Sequence, residues 1–132
     1  MRTKSCTAAV REGRLRKANR FLDAAEIIRE FADEDLDEAG DAFVTLCVHA
    51  GIAAADALCC AGLGVHAQGE NHDDAIALLA KVDKDIAKEL AKLLRLKTKA
   101  GYTHTPVTAE EFKRAGRAAE ALVERARRIK DS

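Results

Sequence analysis

The chain has 132 residues and a mass of 14.3 kDa, enough for one domain with its own core. With 48% hydrophobic and 33% charged residues at zero net charge it is too apolar for disorder, and with one Tyr, four Phe and no Trp it lacks a stacking platform for single-stranded nucleic acid. The basic stretch from Met1 to Arg20 is followed by no apolar segment of a secretory signal, and no apolar run reads as a membrane span; the expectation is a cytoplasmic chain without membrane contact.

The elements read as helices throughout. Alanine is abundant, β-branched residues are sparse, and no segment alternates as a half-buried strand does. The first helix is expected from about Thr7 to Ala32, with Leu15, Ala18, Leu22, Ala25, Ile28 and Ala32 as its apolar stripe and Phe21 and Phe31 beside it. Asp33-Glu34-Asp35 breaks the pattern and favours the positive end of the next helix. That second helix runs from about Asp37 to Cys60, and Gly62 and Gly64 stop it. Gly51 with Ala53, Ala54 and Ala55 makes its middle narrow, so a neighbouring helix, or a second copy, can approach closely. Val65 to Glu70 reads as a loop.

A short third helix starts at Asn71, a good N-cap, and carries Ala75, Ile76 and Leu79. The fourth follows Asp83 and carries Ile86, Leu90, Leu93 and Leu94. Thr108 with Glu111 forms a capping box for the last helix, which carries Phe112, Ala115, Ala119, Leu122, Ala126 and Ile129. The predicted fold is all-α: an up-and-down antiparallel bundle of four main helices plus one short helix, in a single domain over residues 1–132.

Charge is unevenly placed. Residues 1–20 hold seven cations against Glu12, and residues 21–41 hold nine acids against Arg29. Residues 92–99 hold four cations and no acid, and residues 113–130 hold seven against Glu120 and Glu124. Either the basic zones attract phosphates, or acidic and basic helices lie side by side and neutralise each other. Cys6, Cys47, Cys59 and Cys60 contain no CxxC pair, and without a signal peptide they read as reduced thiols.

Few residues suggest chemistry. Asp56 sits among alanines, with His49 seven residues earlier on nearly the same face. If buried, such a carboxylate needs a partner. Lys97 continues the stripe Ile86, Leu90, Leu93, so an Asp56–Lys97 contact with Tyr102 hydrogen-bonding nearby is expected; the alternative is a solvent-facing Asp56. His66, His72 and His104 fall in or beside loops without metal-ligand spacing, so neither a metal nor another cofactor is expected. Gly62-Leu63-Gly64 follows a helix rather than a strand and is no dinucleotide fingerprint.

The run Ala53-Ala54-Ala55-Asp56-Ala57-Leu58-Cys59-Cys60-Ala61-Gly62-Leu63-Gly64, then Gly69-Glu70-Asn71-His72, then Leu93-Leu94-Arg95-Leu96-Lys97-Thr98-Lys99-Ala100-Gly101-Tyr102 resembles the small helical HEPN proteins of bacteria, most of all an actinobacterial-type branch. The resemblance spans roughly Phe43 to Ala126. It implies an antiparallel helical bundle, commonly a homodimer. Many such proteins are ribonucleases in toxin–antitoxin, abortive-infection or CRISPR-linked systems; others are non-catalytic partners of minimal nucleotidyltransferases. The ribonuclease members carry Arg, four to six residues, then His. Here His104 follows Lys99 with four residues between and Lys97 with six, while Arg95 is eight away, so Lys stands where the guanidinium fork would be.

The resemblance thus implies a non-catalytic HEPN-like homodimer that binds a partner protein or nucleic acid, with Asp56, His72, Lys97 and Tyr102 as binding candidates. A metal-independent endoribonuclease using Lys97 or Lys99 with Tyr102 and His104 is the first alternative, and a purely structural bundle the second. RNA or DNA binding is expected to be weak and salt-sensitive.

Overall fold

A computed structural model describes residues 1–32 and 36–129. The described residues form β1 (Thr3–Ser5), α1 (Ala8–Ala32), α2 (Leu36–Leu63), β2 (Val65–Ala67), α3 (His72–Ala80), α4 (Lys84–Tyr102) and α5 (Ala109–Arg127). The chain is mostly helical and the all-α expectation holds. The expected break at Asp33-Glu34-Asp35 lies outside the described residues.

Local chemistry sets most of the helix starts. The Thr7 hydroxyl accepts from the Val10 N–H at 3.2 Å, Asn71 caps α3 through the Asp74 N–H, and Asp83 caps α4 through the Ile86 N–H. The Thr108 capping box is complete, with Glu111 reaching back to the Thr108 N–H at 2.9 Å. Helix α2 ends where Gly64 takes a φ of 73°, a conformation costly for residues with a Cβ.

Helix α2 is the centre of the fold, touching α1, α3, α4, α5 and β2. Its Phe43, Val44, Val48, Ala54 and Leu58 join Ala18 and Leu22 of α1, Leu90 and Leu93 of α4, and Leu122 of α5 in one core. A Cβ on Gly51 would drive into Leu93 Cδ1 and stand 3.1 Å from Leu122 Cδ1, so the glycine is what admits α4 and α5 so closely. The narrow stretch Gly51–Ala57 is therefore spent inside the chain, apart from half-buried Ile52 and Asp56, and offers no face to a second copy. The segment Ala39–Leu63 is long and apolar enough to cross a membrane by length and composition, contrary to the sequence reading, but most of it is buried in this core.

Three further expectations are corrected. Residues 65–67 are not loop: they pair antiparallel with β1, Thr3 opposite Ala67, Lys4 opposite His66 and Ser5 opposite Val65. Strands of three residues are too short for an alternating pattern to register. Cys6 is bonded to Cys60 rather than reduced, because the ladder and the Cys6 N–H to Gly64 carbonyl bond of 2.9 Å bring Cys6 to the end of α2. Phe31 lies 67% exposed, as does Ile27 at 61%, instead of flanking the core stripe.

Candidate functional site

Asp56 projects from α2 and is half-buried, but its partner is Arg14 of α1, not Lys97. Arg14 Nε and Nη2 both lie 3.0 Å from Asp56 Oδ2. Burial lifts the Asp56 carboxyl above its ordinary range, while the Arg14 charge, His66 and the Arg14 hydrogen bond pull the other way. Arg14 was legible: it continues Ala18, Leu22 and Ala25 one turn upstream, so it points at α2. The expected Asp56–Lys97 contact fails because Arg14 is aimed along the shared α1–α2 interface, whereas Lys97 reaches Asp56 only across open space.

That space is a cavity of about 280 Å³ bounded by α2, α4, the end of β2 and the start of α3. Asp56 and His49 line it from α2, seven residues apart, and Lys97 from α4; His72, Asn71 and Glu70 close the α3 side. The walls between are apolar, mainly Ile52, Leu90 and Leu94. His49 is exposed and stacks on Phe21 with ring centroids 5.3 Å apart. The inward phase read for Lys97 thus brings it to the same cavity as Asp56, His49 and His72.

Tyr102 is elsewhere. It is 78% exposed and shares an open depression at the end of α4 with Lys99, His104 and Arg95. Lys99 is tied to Glu111 at 2.6 Å, and its ammonium holds the Glu111 carboxyl below the ordinary range. The four candidate catalytic groups therefore divide: Lys97 faces the cavity, and Lys99, Tyr102 and His104 face the depression.

Charges are paired between helices in one region and left unpaired in another. Arg29 of α1 bridges to Glu120 of α5 at 3.2 Å, Arg127 donates to Asn19 at 2.6 Å, and Arg125 pairs with Asp83 at 3.1 Å. Elsewhere on α5, Lys113, Arg114 and Arg117 meet Lys92 of α4 around a surface groove of about 390 Å³ that Glu89 and Glu110 also line. Lys92 is paired with Glu89 at 3.0 Å, while Lys113, Arg114 and Arg117 make no ion pair among the described residues. Of residues 92–99 only Lys92 joins this groove, beside three cations of the 113–130 zone.

The free cysteines Cys47 and Cys59 are buried, and burial pushes both thiols up to about 12, so neither is a nucleophile at neutral pH. Among the described residues no cluster of His, Cys, Asp or Glu can hold a metal ion. Compared with protein-family models, curated proteins and solved structures, the chain shows no match.

Proposed function

We propose that the chain is a non-catalytic, HEPN-like four-helix bundle that acts as a homodimer and binds nucleic acid through the groove between α4 and α5. The observation that carries this reading is the convergence of Lys92, Lys113, Arg114 and Arg117 on that groove. Four cations outnumber Glu89 and Glu110 along this groove, and a net positive lining attracts a phosphodiester backbone and reads no base, which suits the scarcity of aromatics. A partner protein such as a minimal nucleotidyltransferase is the other occupant of a HEPN-like surface, and the binding assay below separates the two.

Ile27 and Phe31, one turn apart on α1, support a dimer face away from that groove. The outer face of α1 carries Arg16, Lys17 and Arg20 in its first half and Asp23 and Glu30 in its second. Two copies packed antiparallel along α1 put cations opposite acids around these apolar side chains.

Non-catalysis is supported by the dispersal of the candidate groups. Metal-free cleavage of RNA needs a base at the 2′-hydroxyl and a cation at the phosphate, held together. Lys97 and His104 lie in different hollows, and Lys99 is occupied by Glu111. The ribonuclease alternative retains one observation: Lys99, Tyr102 and His104 share a depression.

The test is fluorescence anisotropy with labelled RNA and DNA oligomers at about 50 and 200 mM salt, run with EDTA. Binding is expected to weaken with salt, log K falling by about 0.7 per contacted phosphate for each tenfold rise in salt on a single strand, hence about 0.4 per phosphate between the two concentrations, and to vanish in Arg114→Glu. The labelled RNA is expected to stay intact. Absence of binding at the lower salt overturns the nucleic-acid reading, and cleavage lost in His104→Ala establishes the ribonuclease.

A further inference from the structure

We propose that the cavity between α2, α3 and α4 is a binding site for a small zwitterion with an apolar body, an α-amino acid with a branched or aromatic side chain being its simplest form. The reading is independent of the groove and rests on how charge is laid out around one half-open hollow.

The cavity presents two opposite charges that do not meet. Asp56 spends Oδ2 on Arg14, whose Nε and Nη2 both take that oxygen. Oδ1 accepts nothing among the described residues, yet no side-chain polar atom among them is sealed from solvent without a partner. Oδ1 is therefore an open acceptor on a carboxylate whose side chain is 19% exposed. Lys97 is half-buried on the far wall and makes no ion pair among the described residues, so its ammonium is also unspent. A molecule with an ammonium for Asp56 Oδ1 and a carboxylate for Lys97 Nζ completes both with charge-assisted hydrogen bonds.

The same layout disfavours guests that carry charge of only one sign. A phosphate or other dianion meets Asp56 and Glu70, and the start of α3 is already supplied with its own acids, Asp73 and Asp74, and with the Asn71 cap. A simple cation meets Lys97 and, behind Asp56, Arg14. Between the charged ends lie Ile52, Leu90 and Leu94, which give up no hydrogen bond and favour a hydrocarbon side chain. The volume of about 280 Å³ is the space of about nine waters in the liquid, the scale of leucine or phenylalanine rather than of a nucleotide.

The experiment is isothermal titration of the oxidised full chain with L-leucine and L-phenylalanine, against 4-methylpentanoate, which lacks the ammonium, and 3-methylbutylamine, which lacks the carboxylate. Saturable binding of at least one amino acid is expected, with both analogues weaker by about 10- to 100-fold, the loss of one charge-assisted bond. Lys97→Met, which breaks no ion pair, is expected to weaken the amino acid by the same factor. Ala75→Leu, which fills the cavity from α3, is expected to abolish binding, and Arg114→Glu to leave it unchanged. No saturable binding of either amino acid up to about 10 mM overturns the proposal. So does binding that Lys97→Met and Ala75→Leu leave intact, or an analogue that binds as tightly as the amino acid. A wild-type chain that binds the amino acid but no nucleic acid at the lower salt refutes the groove alone.

Discussion

Opening the Cys6–Cys60 bond removes a cross-link that closes a 54-residue span of chain. Closing a loop of that length costs the unfolded chain about 14 cal/mol/K, so the bond stabilises the folded state by about 4 kcal/mol at 25 °C. That is a large share of the 5–15 kcal/mol typical of a domain. In the folded chain Cys6 also anchors a ladder of only three residue pairs, extended by the Cys6 N–H to Gly64 bond and by the Gln68 N–H to Arg2 carbonyl at 3.0 Å. The assay is urea unfolding of wild type and Cys6→Ser, each with and without reductant. With an m-value of about 2 kcal/mol per molar urea, the wild-type midpoint should fall by about 2 M on reduction. Cys6→Ser should unfold at the reduced midpoint and ignore the reductant. Alkylation of untreated, denatured wild type should label only Cys47 and Cys59. Four labelled thiols, or superimposable curves with and without reductant, refute the reasoning.

Gly51→Ala should destabilise the chain by about 1–3 kcal/mol in the same assay, because the new methyl meets Leu93 and Leu122 in a full core. Arg14→Met strands the Asp56 carboxylate and should cost about 2 kcal/mol at pH 7, less than a fully buried orphan because Asp56 keeps some solvent contact. Burial raises the folded-state pKa of Asp56, so protonation favours the fold as pH falls through that value, and the cost of Arg14→Met should shrink toward pH 4. Glu111 behaves oppositely: its bond to Lys99 and the cap at Thr108 depress its pKa, so its contribution is present above the ordinary glutamate range and is lost as pH falls through the folded value. Glu111→Gln should flatten the acid side of the stability profile, and Thr108→Ala should cost about 1 kcal/mol by removing the cap.

The α3 and α5 starts at Asn71 and Thr108, the stop at Gly64 and the inward phase of Leu90, Leu93 and Lys97 were all present in the sequence. Each rests on contacts three or four residues apart, which a helix makes with itself wherever it lies. The close packing allowed by Gly51 was legible too, but not what would fill it: glycine and alanine leave room, and only the arrangement of α4 and α5 supplied Leu93 and Leu122 in place of a second copy. The site was decided at longer range. Asp56 found Arg14 at a separation of 42 residues, Cys6 found Cys60 at 54, and Val65–Ala67 became a strand only beside Thr3–Ser5. The groove exists because α4 and α5 lie against each other, and the cavity because Lys97 and Asp56 face each other across α2 and α4 without touching. A residue's own turn of helix dictates its direction, but which charge or thiol waits there depends on how distant segments close, and no local pattern records that closure.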